Sequence, residues 1–266
     1  MEKKVMAIAI AAVVVIAGIA AAIVLMNNQN DSETIIIASS PYFVPYDYQL
    51  GMDWAGIDMD ICIAVCKEIN CKYEFMNVQF DSIIPGVHAG KYTMGASGFT
   101  ITEERKESVL FSDTYATIKN VVVVPVGSSI TTYDDAKAAK SGAQSGTTGH
   151  LNAEKEGFNI TAYNTYSDVF QNLKQGKIDC IVLDSDMAKS FILSSENVGQ
   201  YKILDDVKIG EDEYYAFVFK LDNTALCEKF NTGLKKLKDD GTLEKIVKYY
   251  AENNFSNDTP SYWTTH

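Results

Sequence analysis

From Thr34 to Tyr250 short β-branched runs alternate with segments whose apolar residues recur at helical spacing. Thr34–Ala38 is such a run, and in Asp58–Asn70 the residues Ile61, Ala64, Val65 and Ile69 fall on one helical face. Lys72–Val78 reads as a strand, Phe80–Ala89 as a helix ended by Gly90, and Thr93–Ala96 as a short strand running into a turn at Ser97-Gly98-Phe99-Thr100. Thr102 followed by Glu103 and Glu104 has the form of a helix start. Thr117–Val126, with Val121 to Val124 in succession, is the most strand-like stretch. A second series follows: a helical turn at Asp134–Ala139, a strand at Gly142–Gln144, and a helix opened by Gly146-Thr147-Thr148. Strands at Ile160–Tyr163 and Ile178–Leu183 alternate with helices at Ser167–Lys174 and Asp186–Leu193. Strand Glu213–Lys220 leads to helices Thr224–Lys238 and Thr242–Tyr250. Such alternation packs as an α/β fold with parallel sheets. The two series, joined by the strands near 117–126 and 213–220, predict two lobes with two crossovers that bend near Val122–Val124 and Ala216–Val218. Ligands in open α/β sheets bind beyond the carboxyl ends of the strands, so the cleft between lobes is the expected site.

The chain has 23 basic and 35 acidic residues, a net charge of −12, which disfavours nucleic acid as a partner. Lys3 and Lys4 precede an unbroken apolar run from Val5 to Met26. At 1.5 Å per helical residue that run crosses a ~30 Å hydrocarbon core, and it exceeds the ~7–15 apolar residues of a cleavable leader. The expectation is a membrane anchor with the lysines on the cytoplasmic side and the rest outside the cell; cleavage near Gly18–Ala22 is the alternative, and would release the chain. His88, His150 and His266 are too few and too dispersed for a histidine-based catalytic or zinc site. Cys62, Cys66, Cys71, Cys180 and Cys227 are odd in number and lack a second paired spacing, so buried thiols fit better than a metal site or a disulfide framework. No metal and no cofactor is expected.

Several ordered motifs resemble one family. Gly56-Ile57-Asp58-Met59-Asp60, Phe80-Asp81-Ser82-Ile83-Ile84-Pro85, and Thr100-Ile101-Thr102-Glu103-Glu104-Arg105 with Phe111-Ser112-Asp113 and Tyr115 are similar to the extracytoplasmic amino-acid-binding proteins of ABC importers, over roughly residues 34 to 252. The resemblance implies a periplasmic-binding-protein-like fold, with one lobe from 32–122 and 217–256, the other from 123–216, and a tail at 257–266; the anchor segment at 1–31 departs from the family's usual cleaved or lipid-modified leader. It implies a monomeric receptor, not an enzyme, that hands a free amino acid to an ABC permease and its ATPase.

It also places the ligand-binding positions. A free amino acid is a zwitterion, so its cleft needs a cation for the α-carboxylate and an anion for the α-ammonium. The only arginine, Arg105, falls on the family's carboxylate-binding position, where a planar fork can grip both oxygens as lysine cannot. Pairing with Glu103 or Glu104 is the structural alternative. Gly98 and Thr100 match positions that bond the ligand through backbone and hydroxyl groups, against a tight turn and a solvent-facing hydroxyl. Thr147 and Thr148 match a turn whose N–H groups face an anion at a helix start, against ordinary capping by Thr147. Asp184 matches the acid that holds the ammonium, with Asp186 a nearby helix-start acid; Asp179 matches a structural aspartate. Phe43 and Phe80 match positions that sandwich the ligand side chain, against plain core packing. Ser40 stands where receptors for basic amino acids in this family often carry an acid, which points to a polar, uncharged ligand. Thr93 replaces a structural aspartate of the family. A dehydratase-type enzyme on the same scaffold and the ligand-sensing ectodomain of a signalling complex are the competing functions.

Overall fold

The computed structural model describes residues 34–266. The expected membrane anchor, Val5–Met26, lies outside them; among the described residues no helix is long and apolar enough to cross a membrane.

The described chain is built around one mixed sheet. Its strands are β1 (Thr34–Ser39), β5 (Lys72–Asn77), β6 (Met94–Thr100), β7 (Val109–Phe111), β8 (Ala116–Pro125), β9 (Ser141–Gln144), β10 (Ile160–Tyr163), β11 (Cys180–Asp184) and β12 (Tyr201–Lys220). They lie in the order β10-β9-β11-β8-β12-β6-β1-β5, with β7 also on β12. A small hairpin sheet of β2 (Tyr42–Phe43), β3 (Asp47–Leu50) and β4 (Asp53–Ala55) sits apart from it. The helices are α1 (Ile57–Glu68), α2 (Phe80–His88), α3 (Glu103–Lys106), α4 (Tyr133–Ala138), α5 (Thr148–Lys155), α6 (Tyr166–Lys174), α7 (Ser185–Leu193), α8 (Thr224–Asp239), α9 (Thr242–Glu252) and α10 (Tyr262–Thr265).

This is a two-lobe α/β fold. Parallel pairing, as the alternation predicts, holds within each lobe: β1 with β6 in one, and β9 with β10 and β11 in the other. The crossing strands β8 and β12 instead run antiparallel to each other and to their neighbours β11 and β6. They pair along most of their length, with register slips in β12 between Ile203 and Lys208 and between Ile209 and Glu213. The valine-rich center of β8 is why the crossing is also core: Val121 to Val124 are all at most 2% exposed.

Three readings from the sequence need correction. β6 does not stop at Ala96 but continues through Thr100. Gly98 permits this with φ +59, a conformation costly for a residue with a Cβ, and β12 slips register opposite it between Ala216 and Val218. β12 begins at Tyr201, not Glu213, because its polar first half carries little strand signal. The hairpin of β2, β3 and β4 was not expected, since strands of two to four residues are too short to show a period.

The C-terminal segment folds back on α1. The Tyr250 and Ser261 hydroxyls donate to the Asp60 carboxylate, Tyr262 N–H donates to it at 2.8 Å, and Trp263 Nε1 donates to the Asp60 carbonyl at 2.9 Å. On the way, the Phe255 carbonyl accepts from the Ser190 hydroxyl of α7 at 2.7 Å. All five thiols are free; Cys62, Cys66, Cys180 and Cys227 are buried and Cys71 is half-buried.

Candidate functional site

Phe43, Phe80, Gly98, Thr100, Arg105, Thr147, Thr148 and Asp184 all line one narrow cavity between the lobes. The structure therefore brings together the eight residues expected to bind the ligand. It adds Ser97, Gln144 and Tyr166 to the lining. Phe43, Phe80, Gly98, Thr100 and Arg105 come from the β6 side; Gln144, Thr147, Thr148, Tyr166 and Asp184 come from the β9 side.

Arg105 sits in α3, whose start is capped as expected: the Thr102 hydroxyl accepts from Arg105 N–H at 3.1 Å. Its guanidinium does not pair with Glu103, which instead bridges to Lys106. Nη1 donates to the Thr100 carbonyl at 2.8 Å and Nη2 crosses the cleft to the Gly146 carbonyl at 3.0 Å. The group lies over the rings of Phe80 and Phe99, 5.8 and 5.7 Å from their centroids, and those rings are themselves stacked. Burial lowers its pKa, while the carboxylates of Glu213 and Asp184 pull the other way.

Phe43 is a packed aromatic as well as a lining one. It stacks on Tyr46 and Tyr166 at 5.3 and 5.7 Å, and Tyr215 closes the cluster edge-on. Its close approach depends on Gly98: a Cβ there would fall 2.3 Å from Phe43 Cε1. Gly98 N–H donates to Asp58 Oδ2 at 2.8 Å, so that amide is already engaged.

The threonines have protein partners of their own. Thr147 caps α5: its hydroxyl accepts from His150 N–H at 3.2 Å and donates to the Gln144 carbonyl at 2.8 Å. The hydroxyls of Thr100 and Thr148 both donate to Glu213 Oε2 at 2.6 Å. A hydroxyl has one proton, so toward the cavity these two offer lone pairs. Glu213 went unnoticed in the sequence because no motif surrounds it, although it opens the strand predicted at Glu213–Lys220. It is buried, and its Oε1 accepts from Asn120 Nδ2 at 2.7 Å.

Asp184 ends β11 and occupies the N-cap position of α7, yet its side chain makes no capping bond. It accepts from the Tyr166 hydroxyl at 3.3 Å. Burial pushes its carboxyl up to about 7; the nearby Glu213 charge adds to this, and the Tyr215 and Tyr166 hydroxyls oppose it. Asp186 instead accepts from the Tyr46 hydroxyl across the cleft at 2.8 Å and bridges to Lys189 on its own helix. Asp58 and Asp47 are buried beneath the same cavity. Burial pushes Asp58 up to about 7, and raises Asp47, whose Oδ2 accepts from the Ser39 hydroxyl at 2.6 Å and from the Ser97 hydroxyl. Asp179 lies away from the site and accepts from Lys140 N–H. Among the described residues no cluster of three or more His, Cys, Asp and Glu is arranged to hold a metal.

Two α/β lobes joined by paired strands, with a cation and an acid facing one cavity between them, define a hinged receptor for a small solute. The model for bacterial extracellular solute-binding proteins, family 3, matches residues 35–253, and the chain belongs to that family. It is a binding protein rather than an enzyme, as are its relatives. The arginine-binding extracellular protein ArtP of Bacillus subtilis is 29% identical over 80% of this chain and 84% of its own length. The ABC transporter arginine-binding protein 1 of Escherichia coli is 30% identical over 72% and 79%. Among solved structures, the arginine-, lysine-, histidine-binding protein ArtJ of Geobacillus stearothermophilus superposes with a TM-score of 0.77 at 30% identity, covering 81% of this chain and 94% of that one. An ancestral arginine-binding protein bound to glutamine gives 0.75 at 34% identity, covering 81% and 96%.

Proposed function

We propose that the cavity captures one free α-amino acid, with its carboxylate on the Arg105 guanidinium and the N-terminus of α5, its ammonium on Asp184, and its side chain between Phe43 and Phe80. The observation that carries this is the facing of a single guanidinium and a single lining carboxylate across one small cavity. Thr100 and Thr148, with their protons committed to Glu213, are acceptors suited to the ammonium.

The side-chain class follows from charge. The absence of an acid at Ser40 argues for a polar, uncharged ligand. Against it, Asp184 and Glu213 are both buried and both act on the Arg105 guanidinium, two acids beside one cation, an imbalance that a ligand with a second cation would relieve. The relatives named for arginine and histidine favor the same direction. A basic amino acid is therefore the leading ligand, and glutamine, present in one ancestral relative, represents the neutral alternative. The receptor delivers it to an ABC permease as a monomer outside the cell, tethered through Val5–Met26. The lobes follow the sequence division of 32–122 with 217–256 and 123–216; the slip of β12 at Ala216/Val218 supports the bend expected there, and the slip at Ile209/Glu213, opposite Ile118–Asn120, offers a second.

A thermal-shift panel of free amino acids tests the reading. A cognate ligand at a hundredfold excess over Kd stabilises the fold by about 2.7 kcal/mol. Arginine, lysine or histidine should shift the melt most, and their decarboxylated amines should not. If no free amino acid shifts the melt, the reading fails.

A further inference from the structure

Glu213 belongs to no motif, yet it is the most connected carboxylate of the cleft. It is 6% exposed and stands on β12 at the end of a register slip, where the chain passes from one lobe to the other. One of its oxygens accepts from Thr100, at the end of β6, and from Thr148, at the start of α5, each at 2.6 Å. Its other oxygen accepts from Asn120 on the second crossing strand at 2.7 Å and from Asn152 of α5 at 3.4 Å. One carboxylate thus joins both lobes and both crossing strands.

We propose that Glu213 is an internal clasp: a positioning residue that holds the two lobes together in the absence of ligand by binding one hydroxyl from each. The geometry makes the contact specific to the shut arrangement. The two hydroxyl oxygens lie 3.5 Å apart and converge on a single acceptor atom. A hydrogen bond to a hydroxyl weakens steeply beyond about 3 Å, so parting the lobes by more than about 1 Å breaks one of the two. An open receptor can keep Thr100 or Thr148 on Glu213, but not both. The clasp also prepares the cavity, because it orients both hydroxyls with their lone pairs inward before any ligand arrives. A receptor whose shut form is already populated loses less affinity to closing, since apparent affinity scales with the competent fraction. This rests on the amino-acid reading only for what the clasp serves.

The test is small-angle X-ray scattering of the ligand-free protein, comparing the natural chain with Glu213→Ala and Glu213→Gln. Glu213→Ala removes the shared acceptor, and its ligand-free radius of gyration should exceed that of the natural chain. Glu213→Gln keeps one oxygen for the two threonines; its amide can face Asn120 once that side chain turns over, because Asn120 Oδ1 has no partner. The glutamine variant should therefore scatter like the natural chain, which a general loss of stability would not produce. Calorimetry with arginine should show Glu213→Ala weakened by about tenfold or more, with Glu213→Gln restored to within about threefold. Superimposable ligand-free curves for all three proteins overturn the clasp. So does an alanine variant as compact as the natural chain, whatever its affinity. If the ligand-free shapes differ as described but no amino acid binds any of the three, the clasp stands and the amino-acid reading falls. Should the alanine variant not fold, the glutamine variant decides: a larger radius of gyration than that of the natural chain overturns the proposal.

Discussion

Replacing Arg105 by lysine isolates the part of the site that depends on a planar fork. The guanidinium has five N–H donors, and two are spent on the Thr100 and Gly146 carbonyls. Three remain, enough to present a parallel pair to a carboxylate. A lysine ammonium has three donors, and keeping both carbonyls would leave it one. The substitution therefore removes at least one charge-assisted hydrogen bond, about 1.5–3 kcal/mol, and the stacking over Phe80 and Phe99, about 0.5–2 kcal/mol. The sum is roughly 2–5 kcal/mol, or about 30-fold to several thousand-fold in Kd. Titration calorimetry with the amino acid that shifts the melt most would read this directly, and circular dichroism would show that the fold is kept. A lysine variant binding within about threefold of the natural chain would refute the carboxylate role of Arg105 and the donor count behind it.

Three further outcomes follow from the same geometry. Asp184→Asn should weaken the amino acid by about tenfold or more while leaving its deaminated analogue little changed; equal losses in calorimetry would place the ammonium elsewhere, with Asp186 the next candidate. Asp58 and Asp184 are pushed up to about 7 and Asp60 to about 6 by burial, above the ordinary 3.8, so the folded chain holds more protons than the unfolded one between about pH 4 and 7. Stability should fall as pH rises through that window, and a ligand-free melting temperature that climbs from about pH 5 to 8 would contradict it. Gly98→Ala would set a Cβ 2.3 Å from Phe43 at φ +59, costing about 1–3 kcal/mol in a chemical-denaturation measurement and displacing the ring that flanks the ligand; unchanged stability and affinity would show that Phe43 has room to move.

The large features were legible because they rest on periodicity and residue type. Helical spacing in α1 and the valine run of β8 are strong local signals, and Arg105 stood out as the sole arginine. All eight lining residues matched from the family resemblance came together in one cavity. What sequence could not show was where each hydroxyl proton goes. Thr100 and Thr148 are placed by motif, but their partner is Glu213, which is distant in sequence and set opposite them only by a slip in β12. The same limit hid Asp47, Asp58 and Tyr166: each is ordinary in its local context and acquires meaning from the strand or helix it packs against. The side-chain class of the ligand suffered most, since the substitution at Ser40 was visible while the acids buried behind it were not.

The folding of the C-terminal segment onto Asp60 has a mechanical consequence. β1 and the clasped residues Ser261, Tyr262 and Trp263 belong to the same lobe, so the described chain both enters and leaves through that lobe. The chain crosses to the other lobe only through β8 and β12, and the tail touches that lobe where Phe255 accepts from Ser190. A tension applied between Ile35 and His266 is carried by β1, α1 and the bonds to Asp60, and does not pass through the cleft. Pulling at the two ends would therefore load the bonds to Asp60, and after them the Phe255–Ser190 bond to the other lobe, before it worked on Arg105, Glu213 or Asp184.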